Sequence, residues 1–122
     1  MQRDKKLKYL GVNLSIATGG KSTQETKELV RGKCVGVTFF PFAALPTQNI
    51  NISIEDTQGN PIVEAVDVRD YEKGIIGGLQ SYKSVNFNTN GKVLINMFSP
   101  SVITRQVEGH FLFVIDTEGY GR

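Results

Sequence analysis

GLQSYKSVNFNTNGKVLINMF, residues 78–98, is the stretch on which the reading of the fold turns. Two runs of β-forming residues flank Asn90-Gly91, a pair suited to the positive φ angles of a tight hairpin turn. A two-residue turn there sets Asn88 against Val93 and Asn86 against Ile95, which wastes apolar surface. A three-residue loop, Thr89-Asn90-Gly91 with Gly91 in a left-handed bulge conformation, sets Phe87 against Val93 and Val85 against Ile95. On its other face Asn88 then meets Lys92, and Asn86 meets Leu94. A slip of one residue would move every side chain to the opposite face, so the second register is expected. Such a hairpin has one apolar face, and a second sheet is expected to cover it.

The rest of the chain is equally biased toward strands. Val and Ile number 22 against 12 for Leu and Ala together, and nine Thr add further β-branching. Lys8 to Ile16 alternates cleanly, with Leu10, Val12, Leu14 and Ile16 on one face. Leu29 to Phe42 reads as one strand or as two joined at Gly32, and Gly36 beside large residues implies that another layer approaches closely there. Pro41 and Pro46 end its pairing near Phe40. Phe39 to Phe42 reads first as the rim of the core and second as an exposed apolar patch for a partner. Ile50, Ile52 and Ile54 point inward from a strand at Asn49–Glu55, Asp56 to Pro61 is a turn, and Ile62–Val68 returns. Arg69 to Gly74 is a charged loop, and Ile75 to Gly78 a bend. Val102–Ile115 is the last strand; Phe111 to Ile115 is apolar on both sides, which predicts the most central position in the sheet.

Together these predict an all-β chain, an antiparallel two-sheet sandwich of seven to eight strands, with a jelly roll placed ahead of an immunoglobulin-like topology. Residues 1–8 form a basic N-terminal arm, 9–116 one sandwich domain and 117–122 a polar tail. A length of 122 residues suits one core. With 14 basic and 12 acidic residues the net charge of +2 is too balanced for a polyanion partner over the whole domain, so nucleic acid is left only to the arm, through Arg3, Lys5, Lys6 and Lys8. The N-terminal residues lack the apolar core of a signal peptide and no apolar run reaches spanning length, so a soluble protein without membrane insertion, made in a reducing compartment, is expected.

Catalytic chemistry finds little to work with. Gly20-Lys21-Ser22 resembles the end of a phosphate-binding loop, but Ser15 stands where that loop needs its first Gly. Ser22 and Glu25 have the spacing of a capping box for a short helix through Glu28, but Thr23 to Lys27 supplies no apolar face, so at most a surface turn is expected there. His110, the single His, has Glu108 on its face but no third metal ligand, and reads as structural. Cys34, the single Cys, alternates like a core residue. Asp67, Asp70 and Glu72, or Glu55 and Asp56, are carboxylate groups at loop ends, read as surface charge rather than calcium ligands. The triplets Asn13-Leu14-Ser15 and Asn51-Ile52-Ser53 are read as chance matches to a glycosylation signal. No catalytic, cofactor or metal residue is assigned, and an enzyme is not expected. Exposed aromatics suit sugar binding, and Tyr9, Tyr71, Tyr82 and Tyr120 keep a carbohydrate-binding or adhesion module as the alternative function.

A compact all-β chain with a short basic arm (Arg3, Lys5, Lys6, Lys8), Gly- and Asn-rich loops and no catalytic constellation resembles the single jelly-roll vertex (penton) or minor capsid proteins of tailless icosahedral phages. The resemblance is architectural. It implies a non-enzymatic structural protein in the virion, held in the host cytoplasm before assembly, forming a homo-oligomer such as a pentamer and touching other capsid subunits. The surplus of apolar positions singles out Phe40, Phe42, Leu94 and Phe98 as an expected subunit interface.

Overall fold

A computed structural model describes residues 7–71 and 82–121, and among these described residues there are six strands: β1 (Leu7–Ile16), β2 (Ser22–Pro41), β3 (Asn51–Asp56), β4 (Pro61–Asp67), β5 (Lys83–Phe98) and β6 (Val107–Asp116). One turn of 3-10 helix, Val68–Asp70, follows β4. The all-β class is as expected. All six strands belong to one antiparallel sheet in the order β1-β6-β2-β5-β3-β4, where seven to eight strands in two sheets are expected from the sequence.

The difference lies at Asn90-Gly91, where the chain does not turn back. β5 passes straight through these residues because β2, 20 residues long, lies beside it on both sides of the pair and supplies ladder partners before and after it. Phe87 stands opposite Cys34 and Val93 opposite Lys27, not opposite each other. Gly91 uses its φ of 129° for a bulge instead of a reversal. Leu29 faces Gly91 and Gly32 faces Thr89, so Val30 and Arg31 share the space opposite Asn90. The buried Thr89 hydroxyl donates to the Val30 carbonyl at 2.6 Å and pins the irregularity.

On either side of this bulge the sheet is four strands wide. Residues 33–37 of β2 lie between β5 and β6, with β1 outside, and residues 38–41 continue along β6 alone; residues 93–98 of β5 lie between β2 and β3, with β4 outside. Inward side chains of both arms, among them Leu14, Phe39, Phe111 and Phe113 from one and Ile52, Ile54, Ile95 and Met97 from the other, merge in a single buried cluster. Tyr71 joins the arms. Its ring meets Phe111 edge-on at 5.4 Å, its hydroxyl donates to the Ile52 carbonyl at 3.2 Å, and its own carbonyl accepts from the Phe39 amide and the Thr38 hydroxyl, both at 3.1 Å. Gly109 lets the Phe39 ring into this core, since a Cβ there would collide with the ring and with the Phe40 carbonyl.

Further expectations are corrected. Ser22 to Glu28 is the first part of β2 and not a surface turn; with no apolar face to bury as a helix, it takes its stability from the ladder to β5. β6 begins at Val107, because Ile103 instead tucks its side chain into the core while its backbone exchanges hydrogen bonds with Gly19 and Gly20. β6 is an interior strand, but the centre of the sheet is the β2–β5 pair. The group that crowds Gly36 is not another layer but the Tyr82 ring, next to β5 in the same sheet, and it leaves no room for a Cβ. The bend expected at Ile75 to Gly78 lies outside the described residues.

Gly91→Ala is expected to cost about 1–3 kcal/mol in urea unfolding because an L side chain is strained at this φ. Asn90→Ala, at an exposed position beside it, should stay within about 0.5 kcal/mol. Equal, small effects would contradict the bulge.

Candidate functional site

Two surfaces stand out, one apolar and one polar. The first lies where β2 ends. Phe39 turns into the core, as expected of a rim, but Phe40 and Phe42 do not: they are 37% and 60% exposed. Phe40 sits on the outer face of β2 in register with His110, while the Phe42 amide donates to the Glu108 carbonyl at 2.9 Å. Phe42 and Leu45 border a shallow hollow of about 160 Å³ next to Val107. The loop that carries Phe42 is fastened rather than loose. Gln48 donates to the Val102 carbonyl at 2.8 Å and accepts from the Thr104 amide at 3.1 Å, and the Arg69 guanidinium, paired with Asp67, donates to the Pro46 carbonyl. Val102, 54% exposed, belongs to this end of the molecule as well.

The second surface is the outer face of the β2–β5–β3–β4 arm. Alternation along β5 puts Val93, Ile95 and Met97 into the core and leaves Leu94, Asn96 and Phe98 half-buried outside. Asn96 is the middle of a polar row across three strands: Gln24 donates to its carbonyl oxygen at 2.6 Å, and its amide donates to the Ser53 hydroxyl at 3.4 Å. With Phe98, Glu55, Pro61 and Glu64 this row lines an open groove of about 730 Å³. Thus the four residues expected at an interface fall on two faces, Phe40 and Phe42 on one and Leu94 and Phe98 on the other. Of the expected contact arm, Lys8 is an exposed residue of β1, while Arg3, Lys5 and Lys6 lie outside the described residues.

The reactive side chains are dispersed. His110 lies flat over Gly11 on the outer face of β1 and β6, with its Nδ1 2.8 Å from the Asn13 side-chain oxygen. Cys34 is on the opposite face, fully buried in the core. Burial pushes its thiol up to about 12, against a smaller lowering effect of the hydrogen bond to the Gly36 carbonyl. Tyr71, expected at a loop as a candidate sugar platform, is instead a core residue, and burial raises its phenol well above the usual range. Arg31 stacks its guanidinium 3.8 Å from the centre of the Tyr120 ring, so the polar C-terminal stretch folds back on β2. The loop carboxylates are engaged locally. Asp56 accepts from the amides of Asn60 and Gln58 at 2.9 Å each, and the Asn60 bond is the main reason its pKa is lowered. Asp67 pairs with Arg69 and Asp70 with Lys83; Glu72 lies outside the described residues. Among the described residues no three of His, Cys, Asp and Glu come together as metal ligands.

Cys34 should resist iodoacetamide at pH 8 in the folded protein and react at the rate of a free thiol once urea unfolds the chain, as followed by mass spectrometry. Rapid alkylation of the native protein would contradict its burial. No protein-family model matches this chain, and no similar sequence is found among curated proteins.

Proposed function

We propose that this chain is a non-enzymatic structural protein of a virus particle, a capsid vertex or minor capsid component that acts through contacts between subunits. One observation carries the reading. The strands pair in a nested series, β1 with β6, β2 with β5 and β3 with β4, as if one long hairpin with its tip at Asp56–Asn60 had been wrapped around a core. Dividing the two long strands at the Gly91 bulge turns six strands into eight segments, in arms ordered β1-β6-β2-β5 and β2-β5-β3-β4. This nesting supports the reading of the chain as a jelly roll, the fold of many viral capsid domains and lectins. Favouring assembly within that class are the large apolar side chains left in solvent, Tyr9, Phe40, Phe42 and Val102.

Multi-angle light scattering on the purified chain should give a mass well above one subunit that falls on dilution. A single-subunit mass at every concentration, with no capsid partner recovered from the native source, would contradict the reading. The Phe42→Ser change, at an exposed site, should leave the unfolding midpoint within a few degrees of the parent.

The polar row of Gln24, Asn96 and Ser53 favours a second reading, a carbohydrate-binding module, because paired amides and hydroxyls above a half-buried Phe98 suit a sugar's hydroxyls and apolar face. On this reading Asn96→Ala abolishes binding on a glycan array. Binding by the parent protein that survives Asn96→Ala would place the sugar elsewhere.

A further inference from the structure

The bent sheet leaves four strand segments with one free side among the described residues: β1, β4, the first part of β2 (residues 22–28) and the first part of β5 (residues 83–88). Free strand edges invite pairing, and proteins blunt them with charges, prolines and bulges. Three of the four are blunted. β4 begins with Pro61, carries Glu64 and meets β3 with two breaks in register. Residues 22–28 of β2 hold Glu25, Lys27 and Glu28. The edge at residues 83–88 starts at Lys83, loses register near Ser84 and is touched by the returning C-terminal stretch, where the Gly121 amide donates to the Asn88 side chain.

β1 has none of these devices. Its ten residues, LKYLGVNLSI, pair with β6 in unbroken register, contain no proline and carry one charge, Lys8, at the N-terminal end. Leu7 and Tyr9 on its outer side are 38% and 55% exposed. We infer that the free edge of β1 is a seam between two copies of this chain, joined antiparallel across a two-fold axis so that the sheet continues from one subunit into the next.

The sequence of β1 suits pairing with itself. A two-fold axis at Val12 sets Leu10 of each copy beside Leu14 of the other on the inner face, with Val12 beside its own equivalent. On the outer face Tyr9 meets Ser15, and Gly11 meets Asn13. The Val12 register pairs residues 8–16 and sets Lys8 beside Ile16 only at the ends of the seam, where the ammonium reaches water, whereas an axis at Gly11 brings Lys8 in against Leu14 and an axis at Asn13 shortens the seam to residues 10–16. An isologous seam of this kind makes dimers and does not close a five-membered ring. A vertex pentamer would need a separate surface, for which the Phe40–Phe42 end is available.

This inference rests on the reading of the chain as a subunit of an assembly, and the test separates the two. The Tyr9→Lys/Ser15→Lys variant places like charges opposite each other at both ends of the seam while changing only exposed side chains. In sedimentation velocity it should weaken the dimer contact at least tenfold, and Tyr9→Lys/Ser15→Glu, which puts opposite charges in the same places, should restore it. Matching far-UV circular dichroism and thermal midpoints for the two variants keep the comparison on the seam. Assembly unaffected by the two lysines, or lost equally with the lysine–glutamate pair, overturns the seam and leaves the assembly reading standing. A parent chain that is monomeric at all concentrations overturns both.

Discussion

The antiparallel ladder between β2 and β5 is the constraint on which the rest of the structure depends. These two strands are long enough to serve both arms of the sheet, and every other strand is placed by them: β6 and then β1 against one half of β2, β3 and then β4 against one half of β5. The irregularity at Leu29–Gly32 and Thr89–Gly91 lets the ladder change direction without ending. A bulge increases local twist and bends a strand, so one extra residue in β2 is enough to bring the two arms around a common core. Tyr71 then fixes their separation, with its ring on one arm and its hydroxyl bonded to the other.

Much of this was legible in the sequence. Alternation and turn chemistry identified the inward faces of β1 and β3, the turn that opens at Asp56 and the burial of Cys34, because each is a local pattern. Asn90-Gly91 was misleading for a physical reason. A residue with positive φ serves a reversal and a bulge equally well, and only the presence of a partner strand on both sides distinguishes them. That partner was itself obscured, since the first part of β2 is made of Thr, Gln, Glu and Lys and has no apolar periodicity to announce a strand. Tyr71 was hidden in the same way: it follows a charged run, and its burial comes from Phe111 and Ile52, which are distant in sequence. The candidate surfaces share this limit. Outward-facing Leu94 and Phe98 could be found from alternation, whereas the row formed by Gln24, Asn96 and Ser53 brings together three strands whose neighbours are set by the wrapped topology.

The reactive side chains of the described residues are kept apart by the fold. The thiol is buried on one side of the sheet and the imidazole packs over a glycine on the other, so the two do not meet. Asp56 caps a turn, and Asp67 and Asp70 pair with nearby cations. Among the side chains left in solvent are the large apolar ones Tyr9, Phe40, Phe42 and Val102, which, with free strand edges, are the material of contacts between proteins.

Interstrand nuclear Overhauser contacts on isotopically labelled protein test the central claim most directly. A continuous β2–β5 ladder predicts contacts between Glu28 and Lys92 and between Cys34 and Phe87, on opposite sides of the bulge, within one unbroken β5. Contacts linking Phe87 to Val93 across a turn at Asn90 would contradict it.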